Sequence, residues 1–241
     1  MIAFRTLPHD APELDLCPLL RAAQMTLQYA TEHDGIGLTQ TKAFKRVFVH
    51  WAAEHFHWPG MGYEELFRYN KVLNEYEFPH LERTHFLLKE LKLGRHYKGQ
   101  FKTTKQSAAL AADRGKLFAE LIPFFLFRMD HSSYSRLAET PAGNWDTWMN
   151  VINVEADHGI DGTQLFRTFY GYEPFYADDT WRAASAFTSC VLSPLKWAGM
   201  LDSVASKDED GLTRQHYVKT QLWRSVLELD TDPLLAPVQK H

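Results

Sequence analysis

Leu93-Gly94-Arg95-His96-Tyr97, then Lys98-Gly99, then Gln100-Phe101-Lys102-Thr103 is the stretch on which the reading of this chain turns. Two short extended runs flank a Lys-Gly pair, a pattern that predicts a β-hairpin. Thr104, just beyond it, is placed to cap a helix running through Ala112. Upstream, Pro79 suits a first helical position and opens a predicted helix to about Lys92. Tyr63 to Glu75 predicts another, set off by the breaker Trp58-Pro59-Gly60-Met61-Gly62. Before that, Phe44, Val47, Phe48, Trp51, Ala52 and His55 recur at helical spacing and predict a helix over about Lys42 to Phe56. Leu14 to Ala30 reads as a first helix, ending before a turn at Asp34-Gly35-Ile36-Gly37.

Helix, helix, short turn, helix, hairpin is the element order of a winged helix-turn-helix, and residues 38–112 resemble that fold. Downstream the chain is predicted helical from Arg114 to Met129, with Pro123 forcing a kink or break. Pro141-Ala142-Gly143-Asn144 marks a boundary. Helices follow near Trp145–Ala156, Gly162–Tyr170 and Asp179–Leu192, and Ser193-Pro194 starts one more through Leu201. Phe101-Lys102-Thr103 precedes Leu110 by the spacing at which Val218-Lys219-Thr220 precedes Leu227, each after a leucine-rich helix and a glycine-containing turn. This suggests a second such unit. The whole pattern resembles uncharacterised bacterial proteins carrying winged-helix-like units, a resemblance that implies no activity. The expected fold class is mainly α with one or two small β-hairpins, as winged-helix-like units joined by additional helices. The expected divisions are an N-terminal helix and turn (1–37), a first unit (38–112), connecting helices (113–160), a second unit (161–230) and a loose tail (231–241).

Of the 241 residues, 45% are hydrophobic and 14% aromatic, ample for a packed core and too many for a disordered chain. Cys17 and Cys190 both fall in apolar helical patterns, too few and too far apart for a disulfide framework or a zinc finger, and read as small buried hydrophobes. The first residues lack the apolar run of a signal peptide. The most apolar stretch, Leu121 to Phe127, is far short of the ~20 residues that span a bilayer. A cytoplasmic globular protein without membrane partners is the expectation.

Charge is the strongest local signal. The net charge is −4, yet Arg83, Lys89, Lys92, Arg95, Lys98, Lys102 and Lys105 face a single acid, Glu90, between positions 83 and 105. That segment carries +6 and leaves −10 for the rest. A basic helix end and hairpin on an acidic body suits phosphate, because neutralised phosphates release counterions. The seven are therefore the candidate nucleic-acid-binding residues, with His85, His96 and Tyr97 adding hydrogen-bonding or stacking capacity. With Leu81, Thr84, Leu88 and Leu91 turned to the core, Glu82, Arg83, Phe86, Lys89 and Glu90 would face outward. Two acids and an aromatic there favour backbone positioning over base reading.

Other constellations carry blander readings. His50 and Glu54 share a helix face near His55 and His57, but the spacing misses the zinc-protease pattern by one residue, and His55 is expected in the core. Glu155, Asp157, His158 and Asp161 could hold a divalent ion or serve as acid and base; a helix end, a glycine turn and an Asp161 cap explain them more simply. The aromatic run Tyr170 to Tyr176 is expected to plug a gap between helices. Asp202, Asp208, Glu209 and Asp210 make the second hairpin acidic and unsuited to DNA. The leading expectation is a non-enzymatic, DNA-associated protein, with no catalytic residue, metal or cofactor. Double-stranded DNA would meet the basic hairpin, and a protein partner or second copy would meet the C-terminal half. A protein-interaction scaffold and a metal-assisted enzyme remain as alternatives.

Overall fold

Ile2–Phe4 (β1), Ile36–Gly37 (β2), Gly94–Tyr97 (β3), Gln100–Thr103 (β4), Ile160–Asp161 (β5), Leu201–Lys207 (β6), Thr213–Lys219 (β7) and Leu227–Leu229 (β8) are the strands of this computed structural model. It describes residues 2–134, 137–174, 179–207, 211 and 213–235. The strands pair antiparallel in three small sheets ordered β1-β8, β2-β4-β3 and β5-β7-β6. The mainly α expectation is thereby corrected to a mixed α/β fold. Four of the eight strands are only two or three residues long, too short to alternate visibly, and each pairs with a strand more than 50 residues away.

By its contacts the chain divides into two compact units, Leu7–Phe125 and Met1–Thr6 with Leu126–His241. In the N-terminal unit, Pro18–Glu32 (α1) follows a 3-10 turn and is capped by the Cys17 sulfur, which accepts from the Leu20 N–H at 3.4 Å. Burial pushes the Cys17 thiol up to about 12, so it stays protonated and inert. Arg46–His55 (α2), Tyr63–Tyr69 (α3), Pro79–Glu90 (α4), Lys105–Ala111 (α5) and the part of Arg114–Arg128 (α6) up to Phe125 complete its helices. The predicted stripe of α2 is displaced by one position. Phe48, Val49, Ala52, Ala53 and Phe56 are buried, whereas Val47 is 77% exposed and His55 lies outside, stacked on Trp51. Ile36–Gly37, read as turn, is the strand that pairs with Phe101 and Gln100. Pro123 does not break α6, which continues through it to Arg128.

Lys98 and Gly99, with φ of 47° and 75°, form the two-residue turn of the first hairpin, as the sequence predicts. Gly94 admits no side chain: a Cβ there would lie 1.9 Å from the Phe101 ring.

In the C-terminal unit, Trp145–Glu155 (α7) leads into β5, and Asp161 caps Gly162–Tyr170 (α8) by accepting from the Thr163 and Gln164 amides at 2.9 and 3.1 Å. Thr180–Phe187 (α9) and Ser193–Trp197 (α10) are joined by a π turn over Thr188–Leu192. Pro194 explains that turn, because its ring would collide with the carbonyl of Cys190 in a regular helix. Gln221–Val226 (α11) and Asp232–Leu235 (α12) follow the second hairpin.

One hydrogen-bond pattern closes both three-stranded sheets. In the N-terminal unit Lys92 is left-handed (φ 57°), the Leu93 N–H donates to Leu88 at 2.9 Å, and the Thr104 N–H donates to Leu93 at 3.2 Å. The Thr104 hydroxyl donates to the Lys92 carbonyl at 3.0 Å and accepts from the Ser107 N–H. In the C-terminal unit Gly199 is left-handed (φ 73°), Met200 donates to Leu195 at 2.9 Å, and the Thr220 N–H donates to Met200 at 3.0 Å. The Thr220 hydroxyl donates to Gly199 at 2.6 Å and accepts from the Trp223 N–H. Thr104 thus corresponds to Thr220, and Phe101, paired with Ile36, corresponds to Tyr217, paired with Ile160. The match lies one residue away from the Phe101–Val218 alignment read in the sequence.

Among the described residues no helix is long and apolar enough to cross a membrane. Thr104→Ala and Thr220→Ala should each lower stability by about 1–2 kcal/mol, as loss of a helix cap does, with Thr→Ser recovering most of it; urea denaturation checks this.

Candidate nucleic-acid interface

Five of the seven predicted cations are exposed: Lys89 in the last turn of α4, Lys92 beyond it, Arg95 on β3, Lys98 in the turn and Lys105 opening α5. None of the five meets a carboxylate at ion-pair distance among the described residues. Lys89, Lys92, Arg95 and His96 line a cleft of about 370 Å³ with Gly94 and Thr104. The Arg95 guanidinium and the Lys98 ammonium lie 5.4 and 5.3 Å from the centre of the exposed Tyr97 ring, which gathers both charges.

The other two are engaged elsewhere. Lys102 pairs at 2.6 Å with Asp34, an acid outside the basic segment, and also donates to the Asp34 carbonyl. Arg83 is 8% exposed, which corrects its outward assignment. The reason is that α4 is covered on more than one face. His80, Leu81, Arg83, Thr84, His85, Leu87 and Leu88 are all buried, while Phe86, Lys89 and Glu90 are exposed. Leu91, expected in the core, is only half-buried.

Sequence reasoning missed the acid beneath this cleft. Glu75, 3% exposed, accepts from the Phe44 N–H and lies 2.6 Å from His85 Nδ1. His85 Nε2 in turn lies 2.8 Å from His96 Nε2, and the Phe44 ring stacks on His85 at 3.8 Å. His85 and His96 were visible as polar capacity near the hairpin. Glu75 carried no signal, because its partners lie 10 and 31 positions away. Partial burial, with His85, Lys89 and Lys42 nearby, holds His96 below the ordinary histidine range, against an opposing pull from Glu75.

The acidic group of the C-terminal unit follows the structural alternative. Asp161 caps α8. Asp157 accepts from Lys219, whose side chain is 1% exposed, at 3.0 Å, and that bond holds its carboxyl below the usual range. His158 is 97% exposed. Among the described residues no three His, Cys, Asp or Glu side chains converge as a metal set. In the aromatic run, Tyr172 packs on Phe166, and the Tyr170 hydroxyl donates to the Ala142 carbonyl. Phe175 and Tyr176 lie outside the described residues, as do Asp208, Glu209 and Asp210 of the second hairpin; Asp202 is exposed.

These features define a two-unit protein in which each unit carries a three-stranded sheet closed by the same threonine clasp. The chain belongs to the y4jL family: residues 15–116 match the Y4jL N-terminal domain and residues 135–221 the y4jL C-terminal domain. It is 33% identical over 183 residues to "Uncharacterized protein y4jL" of Sinorhizobium fredii, a match covering 73% of this chain and 83% of that protein. No solved structure matches.

His80 yields a pH prediction. Burial first, and Arg83 second, push it down from 6.5 to about 3. Below 6.5 the unfolded chain takes up a proton that the folded unit refuses, so this residue withdraws stability as pH falls through that window, by up to about 1.4 kcal/mol per unit. His80→Gln should flatten the dependence of urea-unfolding stability between pH 6.5 and 4 relative to wild type.

Proposed function

We propose that the N-terminal unit is a non-enzymatic, DNA-associated module that holds the phosphate backbone through its basic hairpin and the adjoining end of α4. The observation that carries this reading is the set of five exposed cations, free of carboxylate partners among the described residues, of which Lys89, Lys92 and Arg95 line one cleft while Lys98 and Lys105 stand in the hairpin turn and at the start of α5. The strand order β2-β4-β3, with α4 leading directly into the hairpin, supports a winged helix-turn-helix reading, and β5-β7-β6 supports a second such unit. Because α4 is largely buried, it has little surface to lay in a major groove. Contacts from Lys92, Arg95, Lys98 and Lys105 position on backbone and carry no sequence information by themselves.

The C-terminal hairpin favours a second role, contact with a protein partner or another copy of this chain. Its edge strand β6 exposes Asp202 and residues 204–207, with Val204 at 62%, and has no comparable basic cluster. Such an edge accepts an added strand through its unpaired backbone groups.

Fluorescence anisotropy of a labelled random-sequence duplex tests the first role. Wild type should bind with a log–log salt slope of about −4, as four to five phosphate contacts require. Arg95→Glu/Lys98→Glu should lose binding, whereas Lys102→Ala, which removes a cation already paired, should change affinity by less than about twofold. Absence of binding by wild type at low salt overturns the reading and moves the basic hairpin to a protein contact.

A further inference from the structure

Between the buried Glu75 and the basic cleft stand two imidazoles joined in one hydrogen-bonded chain. Glu75 Oε1 lies 2.6 Å from His85 Nδ1, which therefore carries a proton, since a bare nitrogen there would face a carboxylate. With both rings neutral, His85 holds its single proton on Nδ1, so its bare Nε2 accepts from the His96 Nε2–H across 2.8 Å, and His96 Nδ1 is left without a proton. The neutral pair is then complete with two protons. The only nitrogen left to accept a third is His96 Nδ1, and His96 is the member of the pair that lines the cleft.

From this we infer that the α4–β3 cleft is a seat for a single tetrahedral oxyanion, a phosphoryl or sulfate group, whose binding loads a proton onto His96 Nδ1. The inference rests on the reading that this cleft faces phosphate. In the neutral pair Nδ1 presents a lone pair, which repels an anion. Protonated, it donates a charge-assisted hydrogen bond, while the added charge is delocalised toward Glu75 through His85.

The charged groups around His96 set the direction of coupling. Lys89 of α4 and Lys42 before α2 oppose the proton, as His85 does when it is charged, and Glu75 favours it. Lys92 and Arg95 line the same cleft as His96. Partial burial first, and then the nearby charges of His85, Lys89 and Lys42, hold His96 below the ordinary histidine range. An incoming anion neutralises that opposition, so the proton is taken up as the anion binds. The linkage makes binding tighter as pH falls, by up to tenfold per unit while one proton is exchanged.

The test uses the full chain and sulfate, which keeps one charge state between pH 5.5 and 8.5. Sulfate titrations followed by the His96 ring nitrogens in NMR should show affinity rising as pH falls and a His96 imidazolium signature in the bound state. His96→Gln should keep weak binding and lose the pH dependence. Calorimetry in two buffers of different ionisation enthalpy should show proton uptake for wild type alone. A pH-independent affinity, or the same profile in His96→Gln, overturns the inference. The two readings separate cleanly. Duplex binding without a His96-dependent pH profile retains the DNA role and discards the proton-coupled seat. Proton-linked sulfate binding with no duplex affinity does the reverse.

Discussion

A single threonine hydroxyl, donating to a left-handed residue and accepting from the first turn of a helix, holds each three-stranded sheet to its neighbours. Thr104 and Thr220 sit where the third strand ends, and they decide three things together. They fix the backbone reversal that launches the hairpin, the end of its return strand and the start of the following helix. The reversal differs in cost between the two units. Gly199 adopts its positive φ without penalty, whereas Lys92 reaches 57° with a side chain attached. That strained lysine stands at the lip of the basic cleft, so the geometry that closes the sheet also puts a cation at its mouth.

Glu75 is the second constraint. A buried carboxylate is expensive unless its oxygens are used, and here one takes the Phe44 amide and the other faces His85. The arrangement ties the segment before α2 to α4, and through His96 it reaches the hairpin. The aromatic cage of Phe44 and Phe101 around His85 keeps water from competing for those bonds. Core packing and the cleft are therefore parts of one network in this unit, with the hairpin's histidine hydrogen-bonded through His85 to the buried carboxylate.

What the sequence revealed, and what it concealed, divides along physical range. The first hairpin, its Lys-Gly turn, the Thr104 cap and the Asp161 cap are local events written in consecutive residues, and they were legible. So was the concentration of positive charge, since it needs only counting. The short strands β1, β2, β5 and β8 exist because a distant strand offers hydrogen bonds, and nothing in two or three residues announces that. Burial on α4 misled for a related reason. A periodic stripe assumes one covered face, whereas α4 buries Arg83 and His80 as well as its leucines. Asp34 could not be matched to Lys102, 68 residues away, before the β2–β4 pairing brought them together. The internal match came out one residue off because it followed side-chain similarity; the pairing of Ile36 with Phe101 and Ile160 with Tyr217 sets the true register.

The order β2-β4-β3 also leaves β3 at the margin of its sheet, with open backbone groups along one side. Margins of this kind invite a neighbouring chain to add a strand, and like charges are a common deterrent. Arg95 on that margin, flanked by Lys92 and Lys98, makes approach by a second copy of itself electrostatically unfavourable. The counterpart margin, β6, runs Ser203-Val204-Ala205-Ser206 through its centre without a charge. Two hairpins closed by the same clasp thus differ in their sociability: one guarded against self-assembly, the other left open to it.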